Sequence, residues 1–313
     1  MFEGIKNSWD LIKDSIRVFK HYPKFLIPLL VVWLIYAPVI LYLEYSFNWD
    51  ALSVGQIFLF VSGIIFLFAF LLAFSCSVLL ELIQQLESGQ KMSLIKAFSH
   101  TLAHNILKII PLIIIWTIIW FILFILQAIF SKAEKRKKGS FTAENAAKTL
   151  AGYRNLFLSR AFFEGLEKGI RMIIFLILPA IAWENLSFGK AFKKGIGVFK
   201  THLSEFVTGF VLTWAAAVII FLPPAILFYI SDQLEPLGIS FPTWVWIITI
   251  IYTAFAWSYS IYLEQMFTAE LYLWHLKWER QIEEEKRLGK PLSKLKDVRR
   301  PSVLDEVSDL LEK

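Results

Sequence analysis

Along most of this chain the apolar residues neither alternate nor recur at helical intervals; they run together. Uninterrupted apolar stretches cover Phe25–Leu43, Val54–Leu80, Ile106–Phe130, Phe206–Ile230 and Trp244–Leu263, and a shorter one occupies 170–184. A hydrocarbon core roughly 30 Å thick takes about 20 apolar helical residues to cross. The dyad alternation of a membrane β-barrel is missing. The pattern predicts an all-α, polytopic membrane helical bundle of about six transmembrane helices.

Ahead of three of these runs the pattern changes to helical spacing. Phe2, Ile5, Trp9, Ile12, Ile16 and Phe19 lie three and four apart, with Lys6, Lys13, Arg17 and Lys20 between them. That is an amphipathic helix for a membrane surface. Similar segments, Ser93–Asn105 and Ser187–Phe206, precede the third and fifth runs. They share Lys96-Ala97-Phe98 with Lys190-Ala191-Phe192, and Val18-Phe19-Lys20 recurs as Val198-Phe199-Lys200. The chain therefore divides into three hairpin-like repeats, about 2–90, 92–186 and 187–273, each opened by an interfacial helix. The segments SCSVLLE (Ser75–Glu81) and SYSIYLE (Ser258–Glu264) stand at equivalent places, and six residues later each meets another acid, Glu87 or Glu270. The middle unit ends on LPAIAWEN, which puts Glu184 at a similar depth. The competing explanation is that membrane helices resemble one another by composition.

Charge orients the spans. With the N-terminus inside, 22 of the 32 Lys and Arg are cytoplasmic, and the loops Glu44–Ala51 and Ser231–Thr243 contain acids but no base. Both termini are then expected in the cytoplasm of a cell-membrane protein. The loop 131–169 opposes this: with Arg171 it holds the other 10 bases against 4 acids, yet an even number of spans leaves it outside. The fourth run is short. Extended backwards it acquires Glu164 before Lys168 and Glu167 before Arg171, both at i,i+4, and a small-residue stripe of Ala161, Gly165 and Gly169. The expectation is a helix entering from an outer helical lobe, its charges paired near the outer interface. An ordinary solvated helix joined to a short span is the alternative.

Ionisable groups at membrane depth are costly and mark ion or substrate paths. Glu81, Glu184 and Glu264, near the cytoplasmic span ends, are the candidates. They line a polar vestibule in one reading and pair with surface-helix lysines in the other. Ser77 and Ser260 accompany them as short hydroxyls that pack closely and bond a neighbouring turn. Pro28, Pro38, Pro111, Pro179, Pro223 and Pro224 fall within spans, where proline kinks a helix and frees a carbonyl. His100 and His104 are i,i+4, a spacing that suits two metal ligands, but no Cys and no metallopeptidase Glu completes a site, so no metal and no cofactor is expected. No phosphate loop, dinucleotide fingerprint or nucleophile elbow occurs.

Composition agrees with this picture: 57% of the 313 residues are hydrophobic and 19% charged. The net charge of +6 is read as attraction to the anionic inner leaflet, not to nucleic acid. Cys76 is the only cysteine and excludes an intrachain disulfide. The charged segment ahead of the first run is not a cleavable signal. A transmembrane domain 1–273 is followed by a cytoplasmic tail 274–313, in which Ser302 and Asp305 cap a short amphipathic helix, 301–313. That helix either docks a protein partner or folds back on the surface helices. A homo-oligomer is compatible with all of this.

The segments SWDLIKDSIRVFKHYPKFLIPLL and ILPAIAWENLSFGKAFKKGIGVFK, with Pro179 and Glu184 in a Pro-x(4)-Glu motif, resemble a family of uncharacterised prokaryotic integral membrane proteins of about six spans. Its layout is similar to the membrane portion of some glycerophosphodiester phosphodiesterases. The resemblance covers most of residues 5–270, implies no catalytic residues, and lacks the phosphodiesterase domain. The expected function is that of a membrane-organising or accessory protein without autonomous catalysis. A small-solute or lipid transporter with a cytoplasmic vestibule is the alternative, and an intramembrane enzyme a more distant one.

Overall fold

The computed structural model describes residues 2–48, 52–135, 157–234 and 241–300, and every regular element among them is helical. In chain order these are α1 (Phe2–His21), α2 (Ile27–Tyr45), α3 (Val54–Glu87), α4 (Leu94–His100), α5 (Ile106–Lys135), α6 (Phe157–Ala182), α7 (Phe188–Thr201), α8 (Leu203–Leu234) and α9 (Thr243–Arg287). Five stretches are long and apolar enough to cross a membrane, in α2, α3, α4 with α5, α8 and α9. The sequence predicts about six. Most of the remaining run, 170–184, lies in α6, a 26-residue helix whose first fifteen residues include Glu164, Glu167, Lys168 and Arg171 and which is therefore too polar to qualify.

Local chemistry sets the boundaries. Pro28 occupies the first turn of α2, where the missing N–H would have had no partner, so it does not kink the span. Ahead of α3 the backbone N–H of Ser53 donates to Oε1 of Gln56 at 2.9 Å, half of a capping box. Gly89 (φ 66°) and Gly289 (φ 64°) adopt the left-handed conformation that ends α3 and α9. Ser93 caps α4, but the chain then continues through one π-helical turn, Thr101–Asn105, directly into α5. The second surface segment is thus continuous with its span. At about 1.5 Å per residue, the 45 residues of α9 reach about 68 Å, twice a hydrocarbon core, and its apolar run stops at Leu263.

Consecutive long helices pair: α2 with α3, α5 with α6, α8 with α9. Between pairs, α5 lies on α3, α8 touches α6, and α2 packs on α9. α6 contacts both α3 and α9. The shorter helices cover this assembly, α1 on α8 and α9, α4 on α3, and α7 on α6 and α5.

Burial is uneven along the bundle. Leu72 and Leu79 of α3, Phe175 and Leu178 of α6, and Phe267 and Tyr272 of α9 are fully enclosed. Leu34, Leu59, Ile219 and Ile251 are exposed, as apolar side chains are where lipid covers them. In the dense half a Cβ on Gly209 would fall on the tip of the Phe267 ring, so α8 and α9 meet backbone against ring. Beyond α9 the chain turns back. Trp278 Nε1 donates to the Ser293 carbonyl and Trp274 Nε1 to that of Val298, both at 3.1 Å. Arg300 donates to Asn7 O and Asp10 Oδ2 at 2.8 Å each, docking residues up to 300 on α1. The expected tail helix 301–313, and residues 136–156 of the expected outer lobe, lie outside the described residues.

Candidate functional site

Glu264 sits on the face of α9 that meets α6, and it is 1% exposed. Two bonds from one guanidinium reach it: Arg171 Nε to Oε2 at 2.8 Å and Nη2 to Oε1 at 3.1 Å. Lys168, one turn earlier on α6, brings Nζ to 3.1 Å from Oε1 and is itself 5% exposed. Its ammonium also lies 5.4 Å from the ring centroid of Phe210 on α8. Arg171 keeps the expected i,i+4 contact with Glu167 at 3.9 Å. Sequence reading puts Glu264 near the inner face and the α6 charges near the outer one. The direct ion pairs place all three at one level inside the bundle. The reason is energetic: a buried carboxylate needs a partner within a few Å, and the i,i+4 geometry of α6 leaves Lys168 and Arg171 on the side facing α9.

Glu81 has different company. Its Oε1 accepts from Asn105 Nδ2 at 2.9 Å and lies 3.0 Å from His100 Nδ1. The rings of His100 and His104 stack with centroids 4.6 Å apart. Among the described residues no cluster of three or more His, Cys, Asp or Glu could hold a metal ion.

Glu184 begins a chain of polar contacts at the end of the bundle away from the exposed apolar belt. The Tyr272 hydroxyl donates to its Oε1, and Lys194 of α7 donates to Oε2 at 2.7 Å. The same ammonium donates to Glu279 Oε2 at 2.8 Å. Glu279 Oε1 lies 3.2 Å from His275 Nε2, and His275 Nδ1 is 3.3 Å from His202 Nε2. Burial works against charge on Lys194, but its bonds to Glu184 and Glu279 outweigh that and hold its pKa above the usual value. Glu279 is pushed down to about 2 by the hydrogen bond from His275, helped by Lys194 and opposed by burial. His202 is pushed down to about 3 by burial and, second, by His275.

The expected serines are buried, Ser77 and Ser260 included, but the hydroxyls of Ser77 and Ser258 make no hydrogen bond, so the predicted bond to a neighbouring turn is not formed there. They act as small residues at a tight contact. Pro38, Pro111 and Pro179 lie inside α2, α5 and α6, and Pro223 with Pro224 inside α8. Pro224 cannot bond the Ile220 carbonyl, and the Tyr252 hydroxyl from α9 donates to that oxygen at 2.8 Å instead. Glu270 is fully buried, with Ser15 Oγ 3.5 Å from Oε1 and Asp14, Glu87 and Arg300 as charged neighbours.

Two cavities of about 490 and 270 Å³ are lined almost wholly by apolar side chains, and neither includes Glu81, Glu184 or Glu264. The three carboxylates each have their own partners. Sequence reading missed Lys194, Glu279, His275 and His202 as a group. Each is ordinary by itself, and three different segments contribute them. No family model, no curated relative and no solved structure matches this chain.

Proposed function

We propose that this chain is a multi-pass membrane protein without catalysis of its own, a membrane-organising or accessory protein acting through its surface helices. The observation that carries the reading is the fate of the carboxylates. Each is tied to another helix, Glu264 to α6, Glu81 to the turn before α5, Glu184 to α7 and α9. Groups held this way brace helices. The vestibule of the transporter alternative needs the same groups free.

The finer layout belongs to this proposal. In it α6 makes the sixth crossing, its charges satisfied by Glu264, and the units 2–90, 92–186 and 187–273 repeat. The order of contacts supports that: the first long helix of each unit packs on the second long helix of the unit before it, and α1, α4 and α7 each cover the preceding pair, with the third unit preceding the first. The surface helices α1, α4 and α7 are amphipathic and lie at the cytoplasmic leaflet, where Lys6, Lys13 and Lys96 meet anionic lipid while Ile5, Trp9 and Phe98 are exposed to enter it. Both termini are cytoplasmic, and the resemblance to the six-span prokaryotic family is part of the same reading.

The test is reconstitution. Proteoliposomes containing the full chain are expected to leak small solutes and scramble labelled lipid no faster than protein-free vesicles. Flux or scrambling that scales with the amount of protein, and is lost in Glu81→Gln, supports the transporter instead.

A further inference from the structure

The larger cavity is a groove of about 490 Å³ walled by α2 and α4 with α3 as its floor. Val31 and Ile35, Phe70 and Phe74, and Ile95 and Phe98 line it, and the Phe74 and Phe98 rings meet edge to face at 5.0 Å. Ser75 is the one polar residue of the lining. The groove is open: Val31 is 40% and Ile95 81% exposed. Its foot is different. Lys24 lies one turn before the first lining residue of α2, Lys96 follows Ile95, and Lys91 stands in the connection ahead of α4. All three lysines are exposed, and none has a side-chain partner among the described residues. No Asp or Glu occurs from Arg17 to Leu43 or from Ser88 to Lys108, so the rim is purely cationic in sequence.

An apolar trough that rises from a cationic foot matches one chemistry, a hydrocarbon chain attached to an anion. We propose that this groove holds one acyl chain of an anionic glycerophospholipid, its headgroup phosphate meeting Lys24, Lys91 and Lys96. The volume falls in the roughly 300–1,000 Å³ range of built small-molecule sites. The inference rests on the proposed placement of the foot of α2 at the membrane–water interface. It deepens that reading by giving the organising protein a preferred lipid.

The experiment uses the full chain in nanodiscs of phosphatidylcholine doped with photoactivatable phosphatidylglycerol or, in parallel, photoactivatable phosphatidylcholine. The expected result is phosphatidylglycerol label concentrated in peptides of α2 and α4, at least fivefold above the phosphatidylcholine label there. Lys24→Gln, Lys91→Gln and Lys96→Gln together should remove that preference. Val31→Trp, or Ile35→Trp should the first fold poorly, should lower labelling by both lipids. Equal labelling by the two lipids, or a preference unchanged in the triple variant, overturns the proposal. So does labelling that occurs only after residues 301–313 are deleted, since the tail would then be the occupant. Carbonate extraction checks the underlying reading separately: a chain released from membranes sinks the membrane placement, and a retained chain without the preference sinks only the site.

Discussion

Two segments that share one pattern, Ser75–Glu81 and Ser258–Glu264, end in carboxylates that solve the problem of burial differently. Glu264 has an ionic answer, a guanidinium and an ammonium from one face of α6. Glu81 has a polar one, an amide from the turn that joins α4 to α5 and the imidazole of His100 at the end of α4. A repeated motif therefore repeats the placement of an acid on a helix and leaves its partner to the neighbour. In the first unit the neighbour is local, 24 residues on; in the third it is 93 residues away. The two acids should differ accordingly in what their loss costs.

The largest effect is expected at Glu264. Changing it to Gln leaves Lys168 buried without its counter-charge and Arg171 with only the longer contact to Glu167, and losing one partner of a buried pair costs about 3–5 kcal/mol. Thermal unfolding of the detergent-purified protein should drop sharply or the chain should fail to accumulate. Replacing Lys168, Arg171 and Glu264 together by Met should restore most of the loss, because an apolar trio needs no partner. A triple variant as unstable as Glu264→Gln would refute the ionic explanation and leave shape as the cause.

Close packing near the same acid gives the next effect. Gly209→Ala puts a methyl onto the tip of the Phe267 ring, three residues from Glu264 and fully buried, so the ring must shift. Overpacking of this kind costs about 1–3 kcal/mol. If Phe267→Leu in the same protein recovers the midpoint, the contact itself is responsible and the ion pair is untouched. Recovery that fails would mean the α8–α9 contact is felt through Lys168, which lies over Phe210 one residue along.

Acidity separates the network of Glu184 from both motif acids. His202 is held neutral down to about pH 3 in the fold, against an ordinary value near 6.5. Below about 6.5 the unfolded chain takes up a proton that the folded one refuses, so stability is complete above that pH and declines as pH falls toward 3. From pH 7.5 to 5.5 the loss from this one group is about 1.4 kcal/mol. Comparing midpoints at the two pH values, His202→Gln should show a smaller drop than the parent chain. An identical drop in both would place the proton elsewhere.

Five of the spans were legible in the sequence because uninterrupted apolar runs carry their own length scale, and Glu81, Glu184 and Glu264 were visible as acids at the ends of such runs. Their partners were not. Lys168 and Arg171 read equally well as partners of Glu164 and Glu167, since i,i+4 spacing is visible along one helix while the approach of α9 to α6 is not. The backward extension of the short run was legible as helix, with a solvated helix as the alternative; what its charges meet was not. His100 and His104 suggested a metal by spacing alone, and the geometry gives His100 to Glu81 and stacks His104 upon it.

The smallest effect expected is at Glu81, and it decides what the motif comparison means. Glu81→Gln preserves the carbonyl oxygen that accepts from Asn105 Nδ2 at 2.9 Å and removes only the charge. A neutral hydrogen bond replaces a charge-assisted one, a difference of about 1 kcal/mol. The variant should purify normally, with a midpoint a few degrees lower at most, while Glu264→Gln does not. Asn105→Asp supplies the complement: it sets a second carboxylate against Glu81 with only His100 nearby to answer it, and should destabilise more than Glu81→Gln does. Combining Glu81→Gln with Asn105→Asp returns a neutral donor to face the new acid, the original bond with its direction reversed, and should recover part of the loss. If instead Glu81→Gln is as damaging as Glu264→Gln, the charge of Glu81 matters as much as that of Glu264, and the two copies of the motif are equivalent in chemistry as well as in position.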